Sequence, residues 1–256
     1  MPVLKPPPPP FSAAVNSCFS GGASAYDSNA RLQSAIAARL ERLCISQELR
    51  LPRGPRADLG AGSGLLSRAL ERGLGGEAFL RVDQCEALLR QDTQVPQLQW
   101  DLNHGLPPQL EGAACLASSF ALQWLEHPPL QLQQWCSSLQ QGGWLLLAVP
   151  TSGSFPLWSE AASHAGVPCT ALELPDADPL IDRAQQQLEI HCLQRLRFSR
   201  PNPGGLAFLQ QIKTLGAQAS REPQLTAGQL RRLLRCWPGT DQAILWNVLV
   251  LIGQKR

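Results

Sequence analysis

The 256-residue sequence predicts an α/β fold, a doubly wound and mostly parallel seven-stranded sheet with an antiparallel last strand. Three observations carry that reading. Between residues 56 and 150, short apolar runs alternate with segments of helical periodicity, the pattern of parallel strands buried on both faces. A glycine-rich turn joins the first of those runs directly to a helix. After Pro150 the rhythm changes to two longer apolar strands with helices between them, which suits an antiparallel hairpin at the sheet edge.

Taken in order, residues 1–18 open with Met1-Pro2-Val3-Leu4-Lys5 and five prolines, a polyproline II tail expected to be disordered. It lacks the apolar stretch of a secretory signal. Residues 19–55 are expected to form a helical lid. Ala25, Tyr26, Ala30, Leu32, Ile36, Ala37, Leu40 and Leu43 recur every three or four positions, giving one helix over 23–44, and Pro52, Gly54 and Pro55 end it. The core, 56–150, reads as strands at 57–59, 79–83, 98–101, 113–118 and 144–149, with helices at 65–72, 86–90 and 130–139. The remainder, 151–256, completes the sheet with strands at 188–198 and 243–253 and adds helices at 155–165, 205–216 and 226–237, Thr226 being the N-cap of the last.

Composition excludes several function classes. Charged residues make up 16% and the formal net charge is +2, without the basic stripe that coats nucleic acid. The longest apolar runs, 144–149 and 248–252, are too short to cross a bilayer, so a soluble cytoplasmic protein without membrane or nucleic-acid partners is expected. The eight cysteines are scattered with no Cys-x-x-Cys pair, as in a reducing compartment, and His104, His127, His164 and His191 have no ligand spacing, so no metal is expected.

The chemistry lies in Asp58-Leu59-Gly60-Ala61-Gly62-Ser63-Gly64, between a strand and a helix. Glycines there let a ligand approach the backbone and rest on the amides of a helix N-terminus. A dinucleotide fingerprint needs G-x-G-x-x-G, whereas this spacing is G-x-G-x-G with Leu65 at the third glycine position. An NAD-dependent oxidoreductase is therefore the weaker reading. The segment resembles motif I of class I S-adenosylmethionine-dependent methyltransferases. Asp83, ending the second strand, suits the two hydroxyls of a ribose, and Asp101, ending the third, matches that family's contact to the adenine amino group. The alternative for both is a strand-end turn former, and for Asp58 a brace of the loop. By the same resemblance Gly60, Ala61, Gly62, Gly64, Gln84, Leu102 and Ser118 line the cofactor site.

Segments at both ends narrow the resemblance. Residues 19–33, from Phe19 through Tyr26 to Gln33, resemble the "F-x-x-A-A-x-x-Y-x-x-x-A-x-L-Q" helix of malonyl-[acyl-carrier protein] O-methyltransferases, enzymes of early biotin synthesis. Ser118-Ser119-Phe120-Ala121-Leu122-Gln123-Trp124 resembles their "S-N-x-A-x-Q-W", with Ser119 in place of Asn. Ile212-Lys213-Thr214-Leu215-Gly216-Ala217, then Leu225-Thr226, resembles "L-K-x-x-G-A … L-T".

The resemblance implies methyl transfer from S-adenosylmethionine to the free carboxylate of a malonyl thioester on an acyl-carrier protein. A small free carboxylic acid is the alternative acceptor. A carboxylate is already a nucleophile at neutral pH, so alignment and exclusion of water are required rather than a general base. Tyr26 is the expected lid residue, or else an ordinary core tyrosine. Gln123 and Trp124 are expected on the substrate side, unless Trp124 packs the sheet edge. Lys213 is one candidate to orient the carboxylate, and Arg195 with Arg197, on one face of a strand, are another. Arg231, Arg232 and Arg235 form a basic helix face suited to an acidic carrier.

Overall fold

The computed structural model describes residues 10–256; the polyproline reading of residues 1–9 lies outside them. Seven strands, β1 (Arg56–Leu59), β2 (Leu80–Asp83), β3 (Gln97–Gln99), β4 (Ala113–Ser119), β5 (Leu139–Thr151), β6 (Leu188–Pro201) and β7 (Ala243–Lys255), form one sheet. Their order is β3-β2-β1-β4-β5-β7-β6. The first five strands are parallel, and β7 lies antiparallel between β5 and β6. The reversal of order between β1 and β4 places a crevice at the carboxyl ends of these strands, where open α/β sheets bind ligands.

Period-two alternation divides the core between the two faces. Leu116, Leu145, Leu147 and Leu251 face one layer, and Cys115, Ala117, Leu146 and Val250 face the other. Ten helices are present among the described residues. The amino-terminal ones are α1 (Phe11–Gly22), α2 (Tyr26–Asn29) and α3 (Arg31–Ser46), followed by α4 (Leu65–Gly73) and α5 (Glu86–Leu89). Then come α6 (Pro128–Ser138), α7 (Pro156–Ala165), α8 (Ala177–Gln185), α9 (Gly205–Thr214) and α10 (Ala227–Arg235). Helices α3 and α4 cover one face, and α6 and α8 the other. A satellite core of Leu157, Trp158, Phe208 and Leu233 joins α7, α9 and α10 beyond the strand ends.

Several boundaries differ from the sequence reading. Residues 11–18 belong to α1 rather than to a tail, because Phe11, Val15 and Phe19 fall four apart and bury one face. The single helix expected over 23–44 is broken at Ala30, whose ψ of 47° is not helical. There Ser28 and Asn29 donate to the Ala25 carbonyl, competing with the backbone ladder. Strand β3 stops at Gln99, so Asp101 lies just past its end. The segment 170–187, without a pattern in sequence, contains α8.

Helix α1 crosses the crevice and meets the end of α9 at backbone contact. A Cβ on Gly22 would stand 2.8 Å from the Gly216 nitrogen, and one on Gly216 would stand 2.7 Å from the Phe19 Cα. The two end segments singled out in the sequence thus pack on each other.

Candidate active site

The glycine loop leaves β1 and enters α4. The amides of Gly60 and Ala61 donate to the Val82 carbonyl at 2.8 and 3.1 Å, tying the loop to β2. Gly64 has φ +87°, and a Cβ there would meet the Arg81 guanidinium carbon at 2.6 Å, so conformation and space both require glycine. Arg81 is almost fully buried beneath the loop and pairs with Asp92 at 3.0 Å.

Asp58 is the brace. Its Oδ2 accepts the Ser67 amide at 3.0 Å, joining β1 to the first turn of α4, and its carboxyl is 1% exposed. Burial pushes it up to about 7, against the opposing pull of the Ser67 hydrogen bonds and Arg81.

Asp83 stands at the mouth of the loop. Its Oδ2 accepts the Gly62 amide and its Oδ1 the Cys85 amide, each at 2.7 Å. Burial raises its pKa, with the amides of Cys85, Gly62 and Gln84 working the other way. A carboxylate offers about four lone-pair sites, so these amides leave acceptor capacity unused. Asp101 caps the turn at 102–104, its Oδ1 accepting both nitrogens of Asn103 at 2.9 Å and leaving Oδ2 without a bond. Here the turn-forming role and a place in the cleft coexist in one residue.

Gly60, Gly62, Asp83, Gln84, Asp101 and Leu102 line a single cleft, roofed by Val15, Asn16 and Phe19 of α1. Ala61 lines a small recess behind Gly60. Ser118 is not among the lining residues; its Oγ donates to the Leu59 carbonyl at 2.8 Å, and its neighbour Ser119 faces the cleft with a buried Oγ that has no partner. The lid contacts, Trp100 and Ser119 were missed in sequence. The spacing of Phe11, Val15 and Phe19 was the available signal for the lid.

The cleft opens onto a larger chamber, and Phe19, Tyr26, Phe120 and Trp124 form the wall between the two. The cleft encloses about 70 Å³ and the chamber about 640 Å³. Tyr26 is pushed above the usual tyrosine range by burial and by Asp83, Asp27 and Asp58, so its hydroxyl is neutral. Its segment is fastened to the glycine loop by Asp27, which accepts from Ser63 Oγ and pairs with Arg68 at 2.9 Å. Gln123 lines the chamber, held by its Nε2 donating to the Phe120 carbonyl at 2.7 Å.

The expected cations lie elsewhere. Lys213 is exposed on α9 outside the chamber, while Ile212 lines it. Arg195 pairs with Asp178, and Arg195 and Arg197 point to the side of β6 opposite Phe198 and Arg200 by strand parity. Among the described residues, Arg31 and Arg200 are the cations that line the chamber, and no aspartate or glutamate joins them. Arg231, Arg232 and Arg235 are exposed on α10.

No family model matches the chain. It is 32% identical over 225 residues to a biotin biosynthesis bifunctional protein, BioCD, of Bordetella avium, covering 85% of this chain and 47% of that protein. It is 28% identical over 243 residues to a malonyl-[acyl-carrier protein] O-methyltransferase of Magnetococcus marinus, covering 91% of this chain and 88% of that one. A protein of the same name from Alcanivorax borkumensis is 31% identical over 149 residues, 56% of this chain and 49% of its own length. The chain thus spans about half the length of two of these three relatives. The resemblance read from the sequence is met among curated proteins. Among solved structures, a putative methyltransferase of Bacillus halodurans superposes with a TM-score of 0.58 at 13% identity, covering 82% of this chain and 96% of its own. A geranyl diphosphate C-methyltransferase of Streptomyces coelicolor gives 0.52 at 16%, covering 88% and 80%. The chain shares its fold with these two solved structures.

Proposed function

We propose that the chain binds S-adenosylmethionine in the cleft and methylates the free carboxylate of a malonyl thioester held in the chamber by an acyl-carrier protein. The observation that carries this is the pair of cavities sharing one aromatic wall, one lined by the glycine loop and two strand-end carboxylates, the other by two arginines and no acid. The names of the relatives support the acceptor and the place in biotin synthesis.

The residues present fit the cofactor. Asp83 has lone pairs left for the ribose hydroxyls, Asp101 an unused oxygen for the adenine amino group, and Leu102 a buried apolar surface for the ring. Ser119 Oγ is a buried polar atom with no protein partner. When bound, the sulfonium supplies an electrophilic methyl group, which the carboxylate oxygen takes while the C–S pair stays on sulfur, with no proton to remove. The protein's part is alignment and dryness. Phe19, Tyr26, Phe120 and Trp124 exclude water at the junction, and the neutral Tyr26 hydroxyl can donate there without adding charge. Arg200 takes the orienting role expected of Lys213.

The test is incubation with malonyl carrier protein and methyl-labelled S-adenosylmethionine. Labelled malonyl methyl ester is expected. Intact binding of S-adenosylhomocysteine without that ester would refute the acceptor.

A further inference from the structure

Tyr26 and Asp27 meet two consecutive residues of the glycine loop, Gly62 and Ser63. A Cβ on Gly62 would lie 3.9 Å from Tyr26 Cε1, so the ring rests beside the loop backbone. The hydroxyl of Ser63, a residue 2% exposed, donates to Asp27 Oδ1. Arg68, on α4, completes a triangle. One of its terminal nitrogens donates to Asp27 Oδ2 at 2.9 Å and the other to the Ser63 carbonyl at 2.5 Å. Both oxygens of Asp27 and both terminal nitrogens of Arg68 are thereby used.

Helix α2, which carries Tyr26 and Asp27, cannot hold the tyrosine in place by itself. It is a single turn of four residues, its N-cap Ala25 makes no side-chain bond, and Ala30 leaves helical geometry directly after it. Turns of that length are unstable alone in water, so ties to neighbouring elements fix where they lie. Packing of the ring against Phe19 and Leu88 is not directional. An exposed ion pair on its own would add little, but Arg68 closes a hydrogen-bonded ring around a buried serine. The side chain held this way borders the cleft, the chamber and the recess behind Gly60.

We propose that Asp27 and Arg68 are positioning residues for methyl transfer: with Ser63 they fix Tyr26 at the junction, so that the loop carrying the cofactor also sets the wall that faces the acceptor. The inference rests on the methyl-transfer reading above. Asp27 and Arg68 line neither the cleft nor the chamber, so both act through Tyr26.

Tyr26 is the one tyrosine of the chain, so tyrosinate absorbance in an alkaline titration reports it alone. Burial first, then Asp83, Asp27 and Asp58, hold its ionisation above the usual range. Arg68→Met separates charge from position by sign. Loss of a cation alone would push tyrosinate formation to still higher pH, whereas release of the ring into water should bring it down toward about 10, the ordinary value. The downward shift is expected, read where tryptophan emission shows the chain still folded; an unmoved or raised transition would overturn the proposal. The second arm is a double-mutant cycle on malonyl methyl ester formation at saturating S-adenosylmethionine. Arg68→Met should lower kcat about tenfold in the wild type and less than about twofold in the Tyr26→Ala background, where nothing is left to position. Equal losses in both backgrounds would assign Arg68 to structure alone. Should Arg68→Met fail to fold, Arg68→Lys carries both arms, since it keeps the charge and loses the fork that reaches two acceptors. A downward shift in a protein that forms no malonyl methyl ester would leave the placement of Tyr26 standing and refute the proposed reaction instead.

Discussion

Asp83 accepts the amides of Gly62 and Cys85 and lines the cleft. Asp83→Ala removes both functions, and its affinity for S-adenosylhomocysteine should fall by about 1–3 kcal/mol, measured by calorimetry; unchanged affinity would refute the ribose role. Asp58 carries a pH signature. Its folded pKa, about 7, exceeds the unfolded value near 4, so the folded state holds an extra proton between those limits. The stability this contributes is complete below about pH 4 and is lost as pH rises through 7. Asp58→Asn mimics the protonated form and keeps an oxygen for the Ser67 amide. Compared with it, the wild type should gain stability on acidification from pH 7 toward 4, seen as a widening difference between their urea midpoints; a constant difference would contradict the assignment. The acids of the site were legible because glycine spacing and strand ends are local features. Arg200, Trp158 and Ser119 were not. Their places come from which face of a strand or helix meets the cleft or the chamber, and the parity that excludes Arg195 and Arg197 is set by the register of β6 on β7.

Helix ends were readable where a side chain makes the cap. Thr226 Oγ1 accepts the Gln229 amide at 3.3 Å, and Gln229 Oε1 accepts the Thr226 amide at 2.8 Å, a reciprocal capping box. Thr226→Ala should cost about 1 kcal/mol in a denaturant titration, since α10 closes the satellite core through Leu233. A loss below a few tenths would mean that α10 is held by packing alone. Helix α1 was not readable beside its proline run. Its apolar spacing is regular, but Pro10 stands at the N-cap without a side-chain cap, and the tail composition dominates the window. The break at Ala30 escaped for a related reason: the apolar stripe runs through it, while the local bonds of Ser28 and Asn29 decide the backbone.

At the scale of the molecule, the two ends of the chain build one roof. Phe11 stacks near Trp124 at 6.5 Å and lies under the Arg221 guanidinium at 4.0 Å, while Arg221 also pairs with Glu126 at 2.7 Å. Phe19 meets Trp124 edge-on at 5.4 Å, and the Gly22–Gly216 contact pins the helix from the other side. The exposed ion pair adds little by itself, so the backbone contact and the half-buried aromatics carry the attachment. The cleft of about 70 Å³ lies under this roof, lined by Val15, Asn16 and Phe19 of α1. Gly216→Ala tests the attachment. Its φ of +74° disfavours alanine, and the added Cβ would strike the Phe19 Cα and the Cys18 carbonyl, both backbone atoms that cannot swing aside. Amides 15–29 should exchange faster in hydrogen exchange, strands β1, β4 and β5 should keep their protection, and S-adenosylhomocysteine affinity should fall about tenfold as the roof detaches. Unchanged exchange in α1 would show that the glycine contact does not hold the roof. Faster exchange with full affinity would instead separate the roof from cofactor binding and leave it to the acceptor chamber, whose wall it also forms through Phe19 and Tyr26.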